Sequence, residues 1–170
     1  MYTAFNLLKT TELTLIRQGL FFPSFELTDG QAVYGKISYR GFLRRAAFIE
    51  TSGANYLVEF ESFFSRTIVI GSNDELKGKM RLGFFGDAAL MMQNGFEAEF
   101  TRDSVWGRCF TWKTSKFGTM AKLKESWFSF TKPIAITVDL NLVNAENMGL
   151  LCLLGSHLII LRKRRRSRNR

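Results

Sequence analysis

The stretch that decides the fold is "NMGLLCLLGSHLIILRKRRRSRNR", residues 147–170. An apolar run, 148–161, is broken only by Gly149, Gly155, Ser156 and His157, and seven cations follow. A helix apolar on every side is buried in a protein core or in lipid. Three readings compete: a core helix whose charged end reaches water, a membrane anchor with a positive flank, or a helix ahead of an arginine tail for nucleic acid.

Length separates the first two. A spanning helix needs about 20 apolar residues to cross roughly 30 Å of hydrocarbon. The run here has fourteen, or about 21 Å at 1.5 Å per residue. Extending it backward brings in Glu146, which is costly in lipid; extending it forward brings in arginine. The positive-inside rule would also require the preceding residues to be exported, yet "MYTAFNLLKTTELTLIRQ" lacks a basic region followed by a long apolar stretch. The core reading is therefore favoured. It places a helix at about 144–162, with Asn144 as N-cap and Glu146 in the first turn. Residues 163–170 are then expected to form a disordered basic tail.

The rest of the chain reads as strands. In "PIAITVDLN", Ile134, Ile136, Val138 and Leu140 alternate with Ala135, Thr137, Asp139 and Asn141, the period of a half-buried strand. "FELTDGQAVYGKISYRG", "AAFIETSGANYLVEFES" and "ALMMQNGFEAEF" read as hairpins turning at Asp29-Gly30, Ser52-Gly53 and Asn94-Gly95. "GSNDELKG" reads as another turn at Asn73-Asp74, and further strands are expected in "SVWGRCFTWKTS" and "TMAKLKESWFSF". Many short strands joined by tight turns predict an antiparallel barrel or sandwich in one domain over 1–161. A weak repeat begins at Gly35, Gly78 and Gly107; it marks either repeated sheet modules or the ordinary likeness of hairpins.

The formal charge of +9 is concentrated. Arg162, Lys163, Arg164, Arg165, Arg166, Arg168 and Arg170 supply seven of it and leave the body at +2. An electrostatic argument about nucleic acid or anionic lipid therefore rests mainly on the tail. Cys109 and Cys152 sit in apolar surroundings like free buried thiols, so neither a disulfide framework nor a metal is expected. A reducing cytoplasmic compartment is the expectation.

The patterns "FELTDGQAVYGKI", "FLRRAAFIETSGANYLVEF" and "ITVDLNLVNAENMGLLCLLGSHLII" resemble the tubby C-terminal-like superfamily, most closely its LURP-one-related and phospholipid-scramblase-like branch. The resemblance covers nearly the whole chain. It implies a mainly β fold, an antiparallel barrel of about twelve strands wrapped around one central hydrophobic C-terminal helix. It also implies a non-enzymatic role without cofactor, at anionic phospholipid or phosphoinositide membrane surfaces. The chain departs from the scramblases in lacking their cysteine-rich segment and any EF-hand-like acidic loop.

Residue chemistry adds little that is catalytic. No P-loop, dinucleotide fingerprint or Gly-x-Ser-x-Gly elbow occurs. The single histidine, His157, reads as a core histidine, and the pairs Glu59/Glu61 and Glu97/Glu99 read as solvent faces of strands. The anionic-ligand candidates are Lys36, Arg40, Arg44 and Arg45, which one hairpin would bring together; the same cations would also suit a solvated edge strand. The basic tail is the second candidate, worth about 1 kcal/mol per cation near an anionic membrane. Specific nucleic-acid recognition is not expected, because the body lacks a basic-aromatic RNA-binding signature.

Overall fold

The computed structural model describes residues 1–20, 23–40, 46–103, 107–126, 131–144 and 147–168. Twelve strands follow in chain order: β1 (Glu12–Gln18), β2 (Ser24–Thr28), β3 (Val33–Arg40), β4 (Ala46–Thr51), β5 (Asn55–Phe60), β6 (Thr67–Ser72), β7 (Glu75–Leu82), β8 (Ala88–Met92), β9 (Glu97–Arg102), β10 (Cys109–Thr114), β11 (Gly118–Glu125) and β12 (Ile134–Val138). Each pairs antiparallel with its neighbour in sequence, and β1 closes on β12 with Leu15 opposite Ile134. Closure leaves no unpaired sheet edge. Among the described residues one α-helix occurs, α1 (Met148–Arg168), and it follows β12.

Period-two alternation decides which side of each strand faces in. Ala88, Leu90 and Met92 of β8 are buried while Ala89 and Met91 face water; Ala98 and Phe100 of β9 are buried while Glu97 and Glu99 face water. In β12, Ile134, Ile136 and Val138 point in as expected, but Leu140 does not continue the series. The strand ends at Val138 because the Asp139 carboxylate accepts the Asn141 backbone N–H at 2.9 Å and starts a 3-10 turn, Leu140–Leu142. At Asn73 and Asp74, φ values of 52° and 62° make the two-residue hairpin that Asn and Asp tolerate.

The buried faces converge on α1. Every residue from Leu150 to Ile160 is buried. Eleven consecutive buried positions cover all sides of a helix with 3.6 residues per turn, so the barrel encloses it. Gly155 gives the close fit: a Cβ there would sit 2.6 Å from Trp112 Nε1 and 2.9 Å from Leu123. Gly35 does the same from the wall, where a Cβ would lie 2.7 Å from both the Glu50 carbonyl and Leu153. Phe100, Phe110 and Trp112 form a ring cluster, with centroids 5.3 Å and 4.9 Å from Phe100. Two polar side chains inside α1 are partnered at one atom each, and His157 Nε2 is buried without a hydrogen-bond partner among the described residues. Ser156 Oγ donates to the Cys152 carbonyl at 2.7 Å, and His157 Nδ1 lies 3.0 Å from the Tyr39 hydroxyl.

The helix bounds differ from expectation at both ends. Asn147, with φ 66°, is the residue whose carbonyl accepts the first helical bond, from Leu151 N at 2.8 Å. Asn144 lies before it in an exposed turn, and Glu146 is outside the described residues. The chain needs Asp139 to Asn147 to cross from the barrel wall to its axis. At the other end α1 continues through Arg168, where a disordered tail was expected. Cations suit a helix C-terminus because its carbonyls carry partial negative charge.

Neighbouring antiparallel strands put successive connections at alternate ends. Those after β2, β4, β6, β8 and β10, with the link into α1, lie at one end, here called closed. There Phe5 packs edge-on against Tyr34 with centroids 5.7 Å apart, sits where a Gly149 Cβ would meet it at 3.1 Å, and is followed by buried Leu8. The connections after β1, β3, β5, β7, β9 and β11 lie at the other end, the mouth, where α1 emerges.

Candidate functional site

The expected hairpin cluster is placed as follows. Lys36 faces outward, and the register sets it opposite Glu26 of β2 and Glu50 of β4. Opposite charges at cross-strand positions pair favourably, so Lys36 lies within a row of net negative charge. The field of that row is felt by Tyr2, whose hydroxyl is pushed above its ordinary value by burial and then by Glu50 and Glu26. Arg40 closes β3 opposite Ala46; Arg44 and Arg45 lie outside the described residues. The carboxylate pairs are solvent faces, and Glu61 accepts from Lys79 at 2.8 Å.

The terminal cations are placed differently from a free tail. Arg164 stacks over the Tyr39 ring at 4.0 Å, Arg162 lies 5.3 Å from the Phe110 centroid and Arg165 5.8 Å from that of Phe60. Lys163, Arg165 and Arg166 are exposed. The side chain of Arg168 and the whole of Arg170 are outside the described residues. Cation–π contacts of this kind contribute about 0.5–1 kcal/mol each at exposed sites, enough to orient the guanidinium groups.

Between α1 and the wall a cavity of about 330 Å³ opens at the mouth. Phe100, Phe110 and Ile159 line it with apolar surface, Arg102, Arg162 and Arg165 with cations, and Asp87 with a carboxylate that accepts from the Phe85 backbone N–H at 3.3 Å. Arg102 Nε donates to the Gly107 carbonyl at 2.8 Å, which fixes its plane. Arg162 Nη1 is buried with no hydrogen-bond partner among the described residues. Gly86, at φ 91°, lets the β7–β8 connection pass it: a Cβ there would lie 3.0 Å from that nitrogen. Both guanidinium groups are held below their ordinary values. For Arg162 the causes are burial, then Arg166 and Arg102; for Arg102 they are burial, then Arg166; Glu125 opposes both shifts. The cations thus crowd one another, with one buried carboxylate as partial compensation. A wider groove of about 620 Å³ on the outer wall is lined by Lys79, Arg81, Glu97, Glu99 and Lys113, whose mixed signs create no comparable field.

The mouth also exposes apolar side chains. Phe63 and Phe64, after β5, are 65% and 91% exposed; Phe84 and Phe85, after β7, are 81% and 85%; Leu20, after β1, is 75%. Arg66 lies over the Phe84 ring at 3.6 Å. Sequence reasoning missed this collar, although "SFFSR" and "GFFGD" carried the signal; only strand order shows that they share an end.

His157 is held neutral, its pKa driven down to about 3 by burial and then by Arg164. The Cys152 thiol is pushed up to about 12 by burial and is unreactive. No cluster of three or more metal-ligating side chains occurs among the described residues. No helix among them is long and apolar enough to cross a membrane. The run once open to an anchor reading is instead the interior of the barrel. No family model, curated protein or solved structure matches the chain.

Proposed function

We propose that this protein is a binding module rather than an enzyme, and that its mouth docks on the anionic phospholipid surface of a membrane. The observation that carries the reading is the meeting of exposed Phe63, Phe64, Phe84, Phe85 and Leu20 with the cations of α1 at one end. A soluble surface rarely gathers large apolar side chains without a partner to cover them. Aromatic and basic side chains together suit the interface, where rings reach the acyl boundary and cations meet headgroups. Four rings at even roughly 1.5 kcal/mol each outweigh Lys163, Arg165 and Arg166 at about 1 kcal/mol each. The rings then supply most of the affinity and the cations supply the preference for anionic lipid.

The reading makes the protein peripheral, at the cytoplasmic leaflet where anionic lipid is concentrated. Membership of the tubby-like superfamily is part of the proposal: a twelve-stranded barrel around a C-terminal helix is the architecture that the resemblance implies. Vesicle co-sedimentation tests the docking reading. Binding should be stronger to vesicles containing phosphatidylglycerol than to neutral phosphatidylcholine, and should weaken with salt. Equal binding to both would sink it, as would a DNA or RNA gel shift tighter than vesicle binding.

A further inference from the structure

We infer that the mouth cavity between α1 and the β7–β8 connection is a site for a phosphate monoester, held by Arg102 and Arg162. The inference rests on the docking reading only for the lipid as the source of that phosphate; the chemistry of the cavity stands by itself. Three arginines and one exposed carboxylate, Asp87, line the cavity, so donors converge there from the wall and from the helix and the lining keeps a net positive charge. Arg102 is oriented by the bond to Gly107, and Arg162 keeps a buried donor without an acceptor among the described residues. A buried donor left unpaired is costly, and an anion that accepts from it removes the cost.

The donor set selects the ligand class. A carboxylate occupies one guanidinium fork. A phosphate monoester offers three acceptor oxygens and a charge of roughly −1.5 to −2 at pH 7, which suits two guanidinium groups and relieves their crowding with Arg166. A phosphodiester carries a single charge and fewer free oxygens. The apolar floor of Phe100, Phe110 and Ile159 would take the carbon skeleton next to the phosphate. The same chemistry is present in a lipid with a terminal phosphate and in a small soluble phosphate.

The test uses the full chain and vesicles of matched surface potential, one set containing phosphatidic acid, a monoester, and one phosphatidylglycerol, a diester. The variant R102K/R162K keeps every charge but loses both planar forks; R102K alone serves if the double variant does not fold. Wild type should bind the monoester vesicles about tenfold more tightly, a preference about equal to one guanidinium–phosphate contact. The variant should lose that preference and keep its binding to phosphatidylglycerol. A parallel arm measures thermal midpoints with inorganic phosphate or glycerol 3-phosphate. Stabilisation of wild type but not of the variant, without vesicle preference, assigns the site to a soluble phosphate. Neither response, or a preference that survives in the variant, overturns the inference. Loss of all vesicle binding by wild type would instead defeat the docking proposal and leave the soluble arm readable.

Discussion

At the closed end of the barrel the hairpin connections are two to four residues long and mostly polar, Phe117 there being only 40% exposed, and Phe5 and Leu8 seal the start of the helix beside exposed Leu7. At the mouth the connections are five to eight residues long, the rings of Phe63, Phe64, Phe84 and Phe85 face water, and the helix leaves bearing arginine. The same strands feed both ends, so barrel closure cannot be the reason for the difference. Short turns suffice to connect the strands, and long ones add closure entropy. Exposed rings give the isolated fold nothing. On the proposed reading, the mouth meets a partner and the closed end serves stability.

If that division is right, substitutions at the two ends should separate two measurements. Replacing Phe63, Phe64, Phe84 and Phe85 together by Ser should weaken vesicle binding by about 6 kcal/mol, on the order of 10,000-fold, and leave the denaturation midpoint near wild type. A loss of stability in that quadruple variant would show that the rings belong to the fold after all. Leu8→Ala at the closed end removes a buried side chain and should cost about 2–5 kcal/mol in chemical denaturation, with vesicle binding unchanged once the protein is folded.

A smaller effect separates the helix interior from its emerging end. His157 has a folded pKa of about 3 against an ordinary value of about 6.5. The folded state thus takes up its proton less readily than the unfolded one. The stability of neutral His157 is fully present above about pH 6.5 and is lost as pH falls towards 3, by about 1.4 kcal/mol per unit. His157→Gln should flatten the part of the denaturation curve between pH 6.5 and 4.5 by about 2 kcal/mol relative to wild type. The smallest effect expected is from adding cations to the closed end: Gln31→Lys with Ser52→Lys should change binding to anionic vesicles by less than about twofold, since the added charges face away from the bilayer beyond the reach of screened attraction.

What was legible in the sequence was local. The alternation of Ile134, Ile136 and Val138, the turn at Asn73-Asp74 and the all-round apolarity of 148–161 each follow from a few neighbouring residues. What was not legible depends on register and closure. Lys36 looked like the nucleus of a basic patch until pairing set Glu26 and Glu50 beside it. Arg102 gave no sign of meeting Arg162, sixty positions away, because only a closed barrel with a helix along its axis brings them together. The repeat shows the same limit. Gly35 and Gly78 both open hairpins that turn at the mouth, whereas the hairpin after Gly107 turns at the closed end, so the third copy runs opposite to the first two.

The enclosed helix also sets an order of events. All twelve strands precede α1 in the chain, so during synthesis they leave the ribosome before the segment that fills their interior. Until residues 148–161 are free of the exit tunnel, the inward faces of the strands have nothing to pack on, and the growing chain displays an apolar sheet that invites self-association. The barrel therefore gains its packed interior only once α1 has emerged, and a nascent chain arrested before α1 should depend on a chaperone that shields apolar strands.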